Sequence, residues 1–316
     1  PPPPPPAAPA VTSLFRLSQE ARKGSKGFSG GLTAVGSSQG LGNDFIMVDN
    51  RASRDLCMSP EEAQRLCDRN FGVGADGVIF ATQAQDPSNE YDFDMYNSDG
   101  SSAEMCGNGI RCLARYVAEL DGRGPGVSRV GSQAGLMVLE VRPDRQVTVD
   151  MGTPVLEPAD VPTTIPPTHG AVIKAPFEAA GESWLVSCVS MGNPHCLVYA
   201  RGDGSPLDVS ELDLPAIGPA FEAHPAFPAK TNTEFVQVLD RGRVRMRVWE
   251  RGAAETLACG TGACATVVAG VLEGHINREC VVELPGGPLE ILWRPDNDHV
   301  MMTGPGEKVY SGELTL

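Results

Sequence analysis

A strict alternation of arginine with valine or methionine runs through residues 243–248 (RVRMRV). A repeat of two residues is the period of a β-strand with one buried face, so this segment is predicted to be a half-buried strand. Residues 136–141 and 146–151 are predicted strands on the same grounds. Proline-rich residues 154–167 break the periodicity, which indicates a connector between domains, and proline-rich residues 206–228 predict a surface loop with a helical turn.

Helical periodicity follows each of two Cys-Gly-x-Gly sequences, CGNG at 106–109 and CGTG at 259–262. After the first, apolar residues recur every three or four positions until Asp121 and Gly122 end the pattern: Ile110, Leu113, Val117 and Leu120. After the second, they recur up to Gly274: Val267, Val268, Val271 and Leu272. The second predicted helix has almost no charge, which is typical of a central helix wrapped by strands. Each cysteine is therefore expected at a helix N-terminus.

The two Cys-Gly-x-Gly sequences belong to a longer internal repeat. Residues 97–112, NSDGSSAEMCGNGIRC, resemble residues 250–264, ERGAAETLACGTGAC. Asn97 lies nine positions before Cys106, and Glu250 lies nine positions before Cys259. The two cysteines are 153 positions apart, near half the chain, so duplication of one domain is the simplest explanation.

Composition narrows the class of protein. A chain of 316 residues with 41% hydrophobic content can bury a large core, and its length predicts about two domains. Because no run approaches the roughly 20 unbroken apolar residues that span a bilayer, we expect no membrane role. A formal net charge of −15, without a basic patch, argues against nucleic acid as a partner.

The first 33 residues differ from the rest of the chain. They begin PPPPPPAAPA and continue with a serine-containing segment that has four basic residues and one acid: Arg16, Arg22, Lys23, Lys26 and Glu20. A basic, acid-poor N-terminus without a long apolar core is typical of an organelle-import segment rather than of a secretory signal. The alternative is a solvated linker or an artificial extension.

Nine cysteines, an odd number, favour free thiols in a reducing compartment over a disulfide framework. A metal site is not predicted, because the nearest pairs, Cys106/Cys112 and Cys259/Cys264, are spaced too widely for zinc and no neighbouring histidine completes a set. Each cysteine beside a glycine turn could also be a small core residue.

A pair of cysteines at two helix starts has a specific chemical use. Unpaired N–H groups and the helix dipole stabilise anions there, so the backbone of Gly107, Asn108, Gly260 and Thr261 could hold a substrate carboxylate. One thiolate could then remove a proton from the carbon beside that carboxylate, while the other thiol returns a proton to the opposite face. The pattern thus predicts inversion of a stereocentre without a cofactor.

Five separated motifs resemble the diaminopimelate epimerase family: GNDFIMVDNR (42–51), residues 97–112, GNPHC (192–196), TNTEF (231–235) and residues 250–264. The match runs in order from about Val35 to the C-terminus. The resemblance implies interconversion of LL- and meso-diaminopimelate, a late step towards lysine, with no pyridoxal phosphate or metal.

The resemblance also implies roles for individual residues. Cys106 and Cys259 match the acid/base cysteines, and His195 and Glu250 match positions that tune the thiols. The matched substrate contacts are Asn43, Asn97, Gly107, Asn108, Asn193, Asn232, Glu250, Arg251, Gly260 and Thr261. Gly77 departs from the family, because some members have a substrate-contacting glutamine there, and that contact is left unassigned.

The fold implied by the resemblance is α/β (mixed α+β), with two pseudo-symmetric domains that each curl a mixed sheet around a central helix. The expected boundaries are a leader over 1–33, an N-terminal domain over 34–153 to which 303–316 returns, and a C-terminal domain over 154–302. A homodimer with Tyr310 at its interface and a location in the plastid stroma are also implied.

Two other functions remain open from the sequence. A proline or hydroxyproline racemase has the same fold and reaction type, although GNPH together with Arg251 favours the longer substrate. A ligand-binding module with a redox-regulated cysteine pair would show thiol-dependent binding without turnover.

Overall fold

The computed structural model describes residues 32–103 and 106–315. The predicted leader lies outside the described residues except for its last two, which begin the first strand. The first half of the chain forms seven strands: β1 (Leu32–Gly40), β2 (Asn43–Asn50), β3 (Gly77–Thr82), β4 (Tyr91–Asn97), β5 (Gly126–Ser132), β6 (Gly135–Val141) and β7 (Val147–Asp150). Two helices accompany them: α1 (Pro60–Cys67) and α2 (Gly107–Leu120).

The second half of the chain repeats this arrangement. Its strands are β8 (Ala175–Ala179), β9 (Glu182–Ser190), β10 (Pro194–Arg201), β11 (Asn232–Asp240), β12 (Arg243–Glu250), β13 (Ala254–Thr256), β14 (Glu279–Leu284), β15 (Gly287–Trp293), β16 (Val300–Gly304) and β17 (Glu307–Thr315). Its helices are α3 (Leu214–Glu222) and α4 (Gly260–Leu272). The strands predicted at 136–141 and 243–248 are confirmed as parts of β6 and β12, and the strand predicted at 146–151 is confirmed as the shorter β7.

Both halves use the same order of strand pairing. From β1 to β7, neighbouring strands pair antiparallel, parallel, antiparallel, parallel, antiparallel and antiparallel. The series β9, β10, β11, β12, β14, β15 and β16 repeats that order. The two sheets join where β7 pairs with β16, and β17 pairs with β1 at the far edge. The predicted pseudo-symmetric α/β class is therefore confirmed.

One long helix packs inside each curled sheet. α2 contacts β1, β2, β3, β6 and β7, and α4 contacts the corresponding strands β9, β10, β11, β15 and β16. α4 is buried along nearly its whole length, as its uncharged sequence predicted. α2 ends where Gly122 adopts a positive φ of 63°, which glycine tolerates without steric cost.

The outer face of each sheet is covered by a short helix. α1 begins at Ser59, whose side chain forms a capping box with Glu62, and packs Ala63 and Cys67 against that face. α3 covers the second sheet, with Phe221 fully buried beside Trp184 and Phe235. Strands β2 and β3 are thus apolar on both faces.

The expectation of a surface loop over residues 206–228 was wrong in part. This segment contains a 3₁₀ turn over Val209–Glu211 followed by α3, capped by Asp213. The helix forms because Leu214 and Phe221 enter the apolar cluster on the outer face, which local proline content does not reveal. In the described part of the chain, no helix has the length and apolar character needed to cross a bilayer.

Candidate active site

Each of the two repeat cysteines is the N-cap residue of a central helix, as predicted. Cys106 has extended backbone angles before α2, and its Sγ accepts a 3.4 Å hydrogen bond from the N–H of Gly109. Cys259 has the same backbone conformation before α4, and its Sγ accepts a 3.4 Å hydrogen bond from the N–H of Gly262. Each sulfur therefore lies at the positive end of a helix dipole, which stabilises a thiolate.

The two helix starts meet because glycine follows each cysteine. A Cβ atom on Gly107 would lie 4.0 Å from the Cα of Gly260. A Cβ atom on Gly260 would lie 3.0 Å from Sδ of Met302 and 3.9 Å from Oδ1 of Asn108. The missing side chains let the backbone of one half come close to the backbone of the other.

Both cysteines line a single cavity of about 440 Å³ between the two halves. Ten predicted site residues line it: Asn43, Asn97, Cys106, Gly107, Asn108, Asn193, Glu250, Cys259, Gly260 and Thr261. The first N–H groups of α2 and α4 have no partner inside their own helices, so the cavity has two sets of donors that can hold a carboxylate.

Other predicted residues do not line this cavity. Asn232 is buried, donates from Nδ2 to the carbonyl of Pro194 and accepts at Oδ1 from the backbone N–H of Arg251. The exposed guanidinium of Arg251 donates to the carbonyl of Ala229. Substrate contact by either side chain would require it to leave these partners. Tyr310 lies on β17, 41% exposed.

A hydrogen-bonded chain of side chains fixes the wall on the Cys106 side. Nδ2 of Asn108 donates to Oδ1 of Asn43 at 2.7 Å, and Nδ2 of Asn43 donates to Asp76 at 3.1 Å. The guanidinium of Arg111 donates to Oδ1 of Asn108 at 3.0 Å. Arg111 is fully buried and also donates to the carbonyl of Pro305. The two asparagine amides are therefore held in one orientation.

The environment of Cys106 contains opposing influences on its acidity. Burial raises the pKa of this thiol, and the backbone N–H groups of Gly109 and Asn108 oppose the increase by hydrogen bonding to sulfur. The cationic Arg111 also lowers the pKa of Cys106, whereas the carboxyl of Glu250 raises it.

The environment of Cys259 contains more negative charge. Burial again raises the pKa of the thiol, and the carboxyls of Glu250 and Glu234 raise it further. The hydroxyl of Thr261, 3.5 Å from Sγ, and the N–H of Gly262 act in the opposite direction. Burial also raises the pKa of Glu250, against a hydrogen bond from the hydroxyl of Thr256.

His195 lies beneath the cavity wall rather than in it. It is fully buried, with Nδ1 2.7 Å from Oε1 of Glu234 and Nε2 2.9 Å from Oδ1 of Asn193. One possible ligand atom from each of His195, Glu234 and Cys259 lies within 4.8 Å of the other two, so within residues 32–103 and 106–315 these three side chains form a group that could bind a metal ion. Two of the three are already joined by the 2.7 Å hydrogen bond.

Three functional candidates were not predicted from the sequence: Asp76, Arg111 and Glu234. Glu234 stands in the TNTEF motif directly before the apolar Phe235 and Val236, and Arg111 lies between the apolar Ile110 and Cys112 of α2. A charged residue within a pattern that predicts burial was the available signal. Asp76 lines the cavity from a loop whose sequence has no such pattern.

This arrangement suits proton transfer at a carbon beside a carboxylate. Two sulfur acids from opposite halves line one cavity, and helix N–H groups beside them can stabilise the negative charge that develops on the carboxylate.

The sequence matches a family model described as diaminopimelate epimerase over residues 36–157 and 187–309. It is 56% identical over 276 residues to the chloroplastic diaminopimelate epimerase of rice (Oryza sativa subsp. japonica), covering 87% of this chain and 78% of the relative. It is 54% identical over 277 residues to a diaminopimelate epimerase of Synechocystis, covering 88% of this chain and 97% of the relative.

Solved structures with the same fold include two enzymes of low sequence identity. A hydroxyproline epimerase from Agrobacterium vitis has a TM-score of 0.60 at 16% identity, covering 90% of this chain and 91% of that chain. A probable proline racemase from Agrobacterium radiobacter has a TM-score of 0.62 at 13% identity, covering 90% and 93%. At these identities the likeness shows the fold alone.

Proposed function

This chain belongs to the diaminopimelate epimerase family, and we infer that it is an isomerase that interconverts LL- and meso-diaminopimelate in lysine biosynthesis. The observation that carries this proposal is the cavity that Cys106 and Cys259 line together from two pseudo-symmetric helix starts. The reacting α carbon would lie between the two sulfurs, with its carboxylate on the helix N–H groups.

The chemistry is one proton removal and one proton return. The thiolate of one cysteine takes the α proton, and the electron pair of the broken C–H bond passes into the carboxylate, where the N–H groups of Gly107, Asn108, Gly260 and Thr261 stabilise it. The thiol of the other cysteine then delivers its proton to the opposite face of the carbon. The configuration is inverted, and the two sulfurs have exchanged protonation states.

The remaining polar groups bind the two amines and the second carboxylate. Asn43, Asn97 and Glu250 line the cavity and offer oxygen acceptors to ammonium groups. Arg251 is the cation for the distant carboxylate, and it reaches that group by leaving the carbonyl of Ala229. Asn193 and Asn232 complete the contacts at this end, and His195 and Glu250 tune the Cys259 thiol.

A deuterium-exchange assay tests the proposal. The protein is incubated with LL-diaminopimelate in deuterated water, and stereochemistry and α-carbon label are followed together. The Cys106→Ala and Cys259→Ala variants should each lose inversion, because neither sulfur can serve both faces. The Cys57→Ala variant is the matched control, since Cys57 is half-buried and does not line the cavity.

Near-normal epimerisation by either cavity variant would reject the two-cysteine mechanism. Racemisation of proline or hydroxyproline, without turnover of diaminopimelate, would assign the site to the other enzyme class with this fold.

The quaternary state and location are part of the same proposal. Tyr310 and Val309 are 41% and 59% exposed on β17, a surface that a second copy of the chain would cover in a homodimer. A plastid stromal location is supported by the chloroplastic rice relative and by the basic, acid-poor composition of residues 1–33. Sedimentation of wild type and Tyr310→Ala, and imaging of a fluorescent fusion, test these two points.

The domain boundaries also remain a proposal. We assign residues 34–153 and 154–302 to the two domains, with 303–316 returning to the first. The pairing of β17 with β1 supports the return of the C-terminal segment to the first domain. The connection from Asp150 to Ala175, which contains no named helix or strand, supports the boundary between the domains.

A further inference from the structure

The pseudo-symmetry of the fold allows each residue near one cysteine to be compared with its counterpart near the other. Similar sequences, GNDF at 42–45 and GNPH at 192–195, lead into strands β2 and β10, so Phe45 corresponds to His195. Phe45 is in register with Gly77 on β3, and His195 is in register with Asn232 on β11. Two positions further along β3 and β11, the equivalent residues are Ile79 and Glu234.

Contacts beneath the two sulfurs support this equivalence. A Cβ atom on Gly109 would lie 2.4 Å from Cδ1 of Ile79 and 3.5 Å from Sγ of Cys106. A Cβ atom on Gly262 would lie 2.5 Å from Oε1 of Glu234 and 3.2 Å from Sγ of Cys259. The same place under each sulfur is therefore apolar in one half of the molecule and ionisable in the other.

Glu234 occupies a position where a carboxyl group is unfavourable. Its side chain is fully buried, and Oε2 has no hydrogen-bond partner among the residues that the structure describes. An unpartnered buried carboxyl oxygen retains the full cost of its removal from water. Isoleucine fills the equivalent position in the first half, which shows that packing alone can be satisfied without a charge.

The other charged groups near the two sulfurs are also distributed unequally. The buried cation Arg111 on α2 corresponds to Cys264 on α4, so only the Cys106 side has a cation on its helix. Cys259 faces Glu250 from β12, Glu234 from β11 and His195 from β10. Glu250 raises the pKa of both thiols, but its effect on Cys259 is larger than that of Glu234 and its effect on Cys106 is the smallest of those acting there, so it adds to the asymmetry in the same direction as Glu234.

We propose that Glu234 is a positioning residue that makes the two cysteines chemically unequal: paired with His195, it holds a proton on Cys259, so that Cys106 is the sulfur that becomes the thiolate first. This role rests on the proposed function, because it concerns the resting state of the same acid/base pair. In the enzyme that has lost one proton from the pair, Cys106 removes the α proton and Cys259 supplies one. After turnover Cys259 is the thiolate, and Glu234 favours its reprotonation as Cys106 gives up its proton.

Alkylation tests the proposal directly, because only the thiolate reacts with iodoacetamide. The full chain is treated with a limiting dose at a series of pH values from 6 up to the highest at which it stays folded, and mass spectrometry of the peptides gives separate rates for Cys106 and Cys259. In the wild type, the pH of half-maximal rate should be lower for Cys106 than for Cys259. Differences in exposure do not affect this comparison, because each sulfur is referred to its own plateau.

Substitution then isolates Glu234. In the Glu234→Gln variant, the pH of half-maximal labelling of Cys259 should fall by about one unit. Below that pH, the labelling rate of Cys259 relative to its maximum should therefore be about tenfold higher than in the wild type. Glu273→Gln is the matched control, because it also removes a carboxyl from a nearly buried side chain. Glu273 follows the C-terminal end of α4, whereas Cys259 caps its N-terminal end, and a helix of 13 residues is about 20 Å long. Glu273→Gln should leave both values unchanged.

Alkylation needs no turnover, so it tests the role of Glu234 separately from the proposed epimerase function. Equal half-maximal pH values for the two cysteines in active wild-type enzyme, or a folded Glu234→Gln variant with unchanged values, would overturn the role of Glu234. If the two cysteines differ in half-maximal pH as expected but the protein turns over no diaminopimelate, only the proposed function is rejected. If Glu234→Gln does not fold, the wild-type comparison and Glu234→Asp, which should retain the wild-type order, still decide.

Discussion

Asn108, in the first turn of α2, donates a 2.7 Å hydrogen bond from Nδ2 to Oδ1 of Asn43, 65 residues earlier in the chain. Both residues line the cavity, and Arg111 fixes the amide of Asn108 from behind. The contact joins the start of β2 to the helix that Cys106 caps, so the cavity wall and the catalytic helix are positioned together.

Removing this contact should impair catalysis more than folding. In Asn43→Ala, Asn108 and Asp76 lose a partner in the cavity wall, and we expect kcat/KM to fall about 10- to 100-fold, which corresponds to about 1.4–2.7 kcal/mol. Steady-state kinetics with LL-diaminopimelate measures the effect. The exposed Asn70→Ala serves as control, and an unchanged kcat/KM in Asn43→Ala would contradict this role.

A methyl group at Gly262 should misalign the Cys259 sulfur. Its Cβ would lie only 2.5 Å from Glu234 and 3.2 Å from that sulfur, so the start of α4 or the carboxyl must move. Since displacements near 1 Å can cost about a hundredfold in rate, we expect Gly262→Ala to lower kcat by roughly that factor. Gly124→Ala is the matched control, because no atom lies within 4 Å of its added Cβ. Activity of Gly262→Ala within twofold of wild type would refute the prediction.

Stability should depend on pH through Glu273 at the end of α4. Burial raises the pKa of this carboxyl from 4.5 to about 7, against a hydrogen bond from Ser187 and the charge of Lys174. Between these two pH values the folded protein holds a proton that the unfolded chain has lost, so the free energy of unfolding falls as pH rises from about 4.5 to 7. The loss is complete above pH 7 and is at most about 3 kcal/mol.

Urea unfolding at pH 5 and pH 8 measures this dependence. Glu273→Gln should gain about 1–3 kcal/mol relative to wild type between the two conditions, because the glutamine has no proton to lose. The exposed Glu290→Gln should follow the wild type. If the free energy of unfolding changes equally with pH in wild type and Glu273→Gln, Glu273 is not the source of the pH dependence.

Arg111 should contribute strongly to stability. Arg111→Met would leave the carbonyl of Pro305 and Oδ1 of Asn108 without the donor they now have, although it also removes a buried charge. Two such losses at about 1–3 kcal/mol each predict a net decrease of about 2–4 kcal/mol in the free energy of unfolding. Denaturant titration measures this decrease. As a control, the free energy of unfolding of Arg65→Met, at an exposed position, should lie within about 0.5 kcal/mol of wild type.

The sequence by itself determined the elements that depend on local interactions. Helix starts at Cys106 and Cys259 could be predicted because N-capping, glycine turns and a period near 3.6 act over a few residues. Alternation predicted β6, β7 and β12 for the same reason. The duplication was visible as equal spacing of Asn97 and Glu250 from their cysteines, and it predicted that the two helix starts share one site.

Only the tertiary structure decided what lies beneath each sulfur. Strand register brings Glu234 and His195 under Cys259, and the equivalent register brings Ile79 under Cys106. Both strand pairs are parallel and are joined by long segments, so no hairpin turn fixes their register and no local pattern contains it. The burial of Arg111 and the helix within residues 206–228 depend likewise on surfaces that exist only once the sheets have curled. The repeat thus made the two halves alike in sequence pattern, and folding made their two cysteines different in chemistry.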